Sequence, residues 1–121
     1  MYYILVGKNP VAIPKEQFLE WGRWFELQPR HLALDILPPK RPLRKGNPNM
    51  LRKINRIRQQ EVRISTVFLG LDHNHFGTDK PIVFETMIFG GKWDDYQRRY
   101  TTAEEATESH NFLVKLHKEK P

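Results

Sequence analysis

Asp72-His73-Asn74-His75 places a carboxylate and two imidazoles within four residues. Oxygen and nitrogen donors of this kind suit Mg, Mn, Zn or Ni. Glu85 is a second acid of interest, because its row on a strand, with Val83, Met87 and Phe89, is otherwise apolar. A carboxylate in such a row must find a cation or hold a proton, and acids so placed recur at functional sites. Asp72, His73, His75 and Glu85 therefore form one candidate metal site, for a metal-dependent nuclease or hydrolase. Each also has a plainer reading. Asp72 and Asn74 suit turn hydrogen bonds in a polar hairpin loop. Glu85 suits an ion pair with Arg63, Arg99 or a histidine on the neighbouring strand, and one acid falls short of the two partners acid–base catalysis usually needs. His110 and His117 are seven residues apart, about 10 Å along a helix, too far for one metal ion. His110 reads as a packed, hydrogen-bonded histidine at the core boundary, within reach of Asp72, His73 or Glu85 only if the fold brings them together. Serine occurs only at 65 and 109, in no nucleophile-elbow context, and cysteine is absent. Thiol catalysis, disulfides and zinc ribbons are excluded.

A different chemistry comes from charge. The chain of 121 residues carries a net +6 with a pI near 9.7. Between Pro38 and Arg63 stand nine cations and one acid, Glu61, whereas the other 95 residues hold 11 cations and 13 acids. The molecule reads as a near-neutral domain with a basic insert at about 38–61. Lys40, Arg41, Arg44 and Lys45 lie in a Pro-rich arm, and Arg52, Lys53, Arg56 and Arg58 on a short helix. Together these eight are the candidate partner-binding residues. An arm and helix of this kind can neutralise several backbone phosphates with little base specificity. A solvated surface excursion, or a docking segment for an acidic protein, fits the same residues. The insert has no tyrosine or tryptophan, so stacking on single strands must come from elsewhere.

The elements that must position these groups follow from period and punctuation. Tyr2 to Val6 and Val11 to Ile13 flank a Gly-Lys-Asn-Pro turn and suggest a hairpin. Lys15 to Leu27 reads as a helix with Phe18, Trp21 and Phe25 on one face, and Gly22 invites close packing. Leu32 to Leu37 alternates as a strand. Pro38, Pro39 and Pro42 forbid regular structure until Asn47-Pro48, an N-cap with proline at the first helical position, which starts a helix to about Gln60. Its stripe of Leu51, Ile54 and Ile57 is narrow. Val62 to Leu71 and Ile82 to Phe89 are the clearest strands. Apolar on both faces, they suggest an antiparallel central pair covered on each side. Tyr96 to Tyr100 is a charged edge strand. Thr102-Ala-Glu-Glu105 caps a helix to about His117, with Ala103, Ala106, His110, Leu113 and His117 on one stripe. The expectation is one α+β domain over 1–121: a small antiparallel sheet around a central hairpin, packed by a Trp-containing helix and a C-terminal helix. Phe68, Phe84 and Trp21 should be buried. No apolar run approaches a membrane span, and the N-terminal run is too short for a signal peptide.

Ser65-Thr-Val-Phe-Leu-Gly-Leu-Asp-His73, Phe84-Glu-Thr-Met-Ile-Phe-Gly-Gly91 and Arg99-Tyr-Thr-Thr-Ala-Glu-Glu-Ala106 with His110 resemble a family of small bacteriophage and prophage proteins. Trp21-Gly-Arg-Trp-Phe-Glu26 matches a further element of that family. The resemblance covers the N-terminal third and the C-terminal half, and implies a phage setting rather than a chemistry. Family members pass quickly from the Trp-containing helix to the long strand, whereas this chain interposes the basic segment. Asp72-His73-Asn74-His75 is also similar to the Asp-His-x-His segment of ββα-metal nucleases of the endonuclease VII type, without their cysteine pair or following helix. With the plainer readings of the acids and histidines taken together, the expectation is a non-catalytic phage accessory protein, needing no cofactor, in the host bacterial cytoplasm that the phage resemblance implies. It would bind a host or phage protein or nucleic acid through the insert. Blocking a host defence is the role that the resemblance and small size suggest.

Overall fold

The computed structural model describes residues 1–73 and 80–119. The N-terminal run of β-formers pairs back on itself as β1 (Tyr2–Val6) and β2 (Asn9–Ile13), antiparallel across the Gly7 turn. A single 3-10 turn at Lys15–Gln17 leads into α1 (Phe18–Leu27). The expected aromatic face forms: Phe18 and Trp21 stack at 6.2 Å, and Trp21 and Phe25 at 4.9 Å. This helix buries none of its residues fully. Trp21 is half-buried rather than buried, and its indole N–H donates to the Tyr3 carbonyl at 2.8 Å. Close packing on Gly22 does not occur, since a Cβ there would meet open space. The glycine that α1 requires is Gly70, where a Cβ would lie 2.6 Å from the Phe25 ring, and whose φ of 76° favours glycine in any case.

The main sheet contains β3 (His31–Leu37), β4 (Val62–Phe68), β5 (Phe84–Phe89) and β6 (Gln97–Tyr100), in that spatial order and antiparallel throughout. The α+β expectation holds, with β4 and β5 central and β6 at an edge. Regular pairing in β4 stops at Phe68, short of Leu71. Beyond it, the Tyr3 N–H donates to Gly70 and the Asp72 N–H to Met1, joining the N-terminal hairpin to the sheet. The last helix, α3 (Ala103–Glu119), lies across the sheet. The Glu105 N–H donates to the Thr102 hydroxyl, capping its first turn as the sequence suggests. All five residues of its predicted stripe, Ala103, Ala106, His110, Leu113 and His117, are buried.

Register sorts the side chains into two faces. Phe68, Phe84 and Tyr100 form one cross-strand row toward α3, packed with Ala103, Ala106, Trp24 and Phe25. Ile64 and Ile88 form another, closed by Leu113. Phe68 and Phe84 are buried as expected, at 2% and 0% exposure. The other face departs from the expectation of cover on each side. Leu34, Ile36 and Phe89 point there and keep 45%, 51% and 44% of their surface exposed. The physical reason is cover: α3 spans one face, while α1 packs against β1 and the Phe68 end of the core.

Candidate functional site

The basic insert is a protrusion between β3 and β4, whose last and first residues, Leu37 and Val62, are register partners. Its helix α2 (Pro48–Arg58) starts where the sequence implies, with the Asn47 side chain accepting from the Asn49 and Met50 N–H groups at 2.9 and 3.4 Å. Prolines 38, 39 and 42 leave the arm few donors. Two of those that remain, on Lys40 and Leu43, are used on α2. The Lys40 N–H donates to the Arg58 carbonyl at 2.7 Å, at the helix end where carbonyls lack intrahelical partners. Asn55 accepts from the Leu43 N–H at 2.7 Å and donates to the Leu43 carbonyl at 2.9 Å. Arg58 Nε donates to the Arg41 carbonyl at 2.9 Å. At its base, the Gln60 side chain accepts from the Gly91 N–H at 2.8 Å.

These contacts decide which cations face outward. With about 100° per residue, Leu51, Asn55 and Arg58 share the face toward the arm, and Arg52, Arg56 and Lys53 fan over the face away from it. Those three, with Arg41, Arg44 and Lys45, are exposed. Lys40 and Arg58 are half-buried at the arm–helix seam. Partial burial lowers the Lys40 ammonium pKa below the ordinary lysine value, and the Arg58 charge adds to the effect. The surface is a preassembled set of cations on a helix and a pinned arm, suited to a polyanion.

The acid–imidazole candidates are distributed differently. The Asp72 carboxylate accepts from the Ile82 N–H at 2.9 Å, and the His73 N–H donates to the Ile82 carbonyl, both closing the loop between β4 and β5. Glu85 faces Arg99, whose Nε lies 2.8 Å from its Oε2, with the Gln97 amide donating to the same oxygen. Among the described residues no three His, Cys, Asp or Glu side chains gather where a metal ion could sit, so Asp72, His73 and Glu85 do not form such a group. His75 lies outside the described residues.

A polar chain that sequence reasoning missed runs through the core. Asp35 of β3 accepts from His110 Nε2 at 2.7 Å; His110 Nδ1 lies 2.7 Å from the Thr66 hydroxyl of β4, itself 2.6 Å from the Thr86 hydroxyl of β5. In a neutral ring Nδ1 then accepts from Thr66, and Thr66 accepts from Thr86, so every link has a donor and an acceptor. Acid, imidazole and hydroxyl stand in the order of a nucleophilic triad. Thr66, Thr86 and His110 are nevertheless at 0% exposure. No substrate reaches a hydroxyl so enclosed, and the chain is a structural link between α3 and three strands. Its signal in the sequence was Asp35, the lone charge in an apolar strand. His110 meets Asp35 and Thr66 rather than Asp72, His73 or Glu85.

No helix among the described residues is long and apolar enough to cross a membrane. Compared with family models, curated proteins and solved structures, the chain matches none.

Proposed function

We propose that this protein is a non-catalytic binding module whose 38–61 protrusion engages the phosphate backbone of a host or phage nucleic acid. The observation that carries the reading is the arrangement of Arg41, Arg44, Lys45, Arg52, Lys53 and Arg56. All are exposed, on an arm and a helix held together by hydrogen bonds. Holding like charges together costs repulsion that a polyanion relieves, and a preassembled surface gives up less freedom on binding. In the phage setting that its motifs resemble, such a module would act in the host cytoplasm, where occupying a nucleic acid is one way to block a host defence.

The test is a salt titration of binding to a labelled 20-base-pair duplex, comparing the wild-type chain with Arg52→Gln/Lys53→Gln/Arg56→Gln. Arg58 is left intact because it secures the arm. The triple variant should weaken binding and reduce the slope of log affinity against log salt by about 0.9 for each phosphate it no longer neutralises. Unchanged affinity and slope would remove the protrusion from the interface. Absence of duplex or single-strand binding, with capture of an acidic protein whose association rate falls in the triple variant, would replace the nucleic acid with that protein.

A further inference from the structure

The open face of the sheet is a feature that the protrusion reading leaves unused. Across it, Ile36, Arg63 and Phe89 are register partners, and Leu34, Ser65, Met87 and Gln97 form the next row. The first row lies one residue inside Leu37 and Val62, where the protrusion leaves the sheet. A shallow recess of about 370 Å³, lined by Glu61, Arg63, Phe89 and Gly90, adjoins it. The surface is thus apolar and aromatic, carries a cation, and is continuous with a basic arm and helix.

We infer that this face receives the unstacked bases of single-stranded nucleic acid, with a base stacked on Phe89 while the backbone runs past Arg63 toward the cations of the protrusion. The inference rests on the polyanion reading of the protrusion, which supplies the backbone contacts. Three arguments select this occupant. Four strands about 4.8 Å apart and six residues long offer only about 400 Å², roughly half of what each partner gives a stable protein interface. Charge favours an anion through the adjoining protrusion: on the face itself Arg99 is engaged by Glu85 and Arg63 lies 4.0 Å from the exposed Glu61, so the surplus positive charge is that of the arm and helix beside it. A flat apolar surface with an exposed ring offers a duplex nothing, because paired bases keep their faces stacked, whereas single strands present theirs to aromatic side chains. The stacking partner that the insert lacks in its own sequence stands at its foot.

The experiment measures fluorescence anisotropy of the full chain with labelled dT20 and with a 20-base-pair duplex, using wild type, Phe89→Ala, Phe89→Tyr and the triple glutamine variant. Thermal melts confirm that each variant is folded. Wild type should prefer dT20. Phe89→Ala should weaken dT20 binding by about tenfold or more and leave duplex binding unchanged, and Phe89→Tyr should restore it. Phe89→Ala binding dT20 as wild type does, while the triple variant binds neither ligand, would overturn this inference and leave the protrusion reading standing. Failure of Phe89→Ala to bind either ligand, with the triple variant binding both, would fault the protrusion reading and, with it, the backbone path that this inference needs. Sedimentation as a dimer that Phe89→Ala dissociates would assign the face to a second copy and also overturn the inference.

Discussion

Individual residues show how burial sets what a polar group can do. Thr66 and Thr86 tolerate complete burial because each hydroxyl is matched to a partner. Thr66→Val keeps the shape but strands His110 Nδ1 and Thr86, and should lower stability by about 1–3 kcal/mol in urea denaturation. Phe84 is a simpler case. Its ring is enclosed, 5.6 Å from that of Phe68, and Phe84→Ala should cost about 3–5 kcal/mol, enough to leave a marginal domain largely unfolded in a thermal melt. Tyr3 links the hairpin to the pH response. Burial, and then the nearby Asp72 charge, raise its pKa above the usual 10.0. The folded chain therefore keeps a proton that the unfolded chain releases. The stabilisation is whole below the unfolded value and is lost as pH rises through the folded one. Tyr3→Phe should accordingly flatten the alkaline fall in the urea midpoint from about pH 10 upward.

At the scale of elements, the arm and α2 depend on one another. The prolines exclude a strand or helix in the arm, and the helix stripe offers little to bury: Leu51 packs beside Gly46 while Ile54 and Ile57 stay largely exposed. Hydrogen bonds take the place of a core. Asn55 makes two of them, both to Leu43. Asn55→Ala should speed hydrogen exchange at the Leu43 amide while changing global stability by no more than about 1 kcal/mol, since the contacts are exposed. An unchanged Leu43 exchange rate would mean that the Lys40–Arg58 seam alone holds the arm. The same substitution should weaken polyanion binding, because a loosened arm must be ordered when it binds.

The whole molecule divides into a sheet-and-helix body and a charged excursion. Leu37 and Val62 already face each other in register, so residues 38–61 can be replaced by Asn-Gly, a two-residue hairpin turn whose twist matches the strands. The shortened protein should keep its sheet and helix signature by circular dichroism and melt cooperatively, while losing affinity for the duplex. A deletion that unfolds the body would show that the Gln60–Gly91 hydrogen bond and the Glu61 backbone against Gly90 are needed to seat the turn between β5 and β6.

Much of this was legible in the sequence. The N-cap at Asn47, the capping residue Thr102 and the stripe of α3 are local or periodic signals, carried by residues a few positions apart, and they survived folding unchanged. The β4–β5 pair formed with shorter strands than the apolar runs suggest. The concentration of charge in the protrusion needed only counting. Tertiary structure decided what depends on distant partners. Glu85 could have met Arg63, Arg99 or a histidine, and register chose Arg99. Asp35 and His110 are 75 residues apart, and only the packing of α3 over β3 joins them. Strands apolar on both faces implied two covering layers. Whether a second layer exists depends on how many helices are free to supply it, and here α1 is committed to the corner at Gly70. Pattern therefore determined which residues form strands and helices, because secondary structure answers to neighbours along the chain. Which faces close, and which stay open to a ligand, was settled by long-range packing.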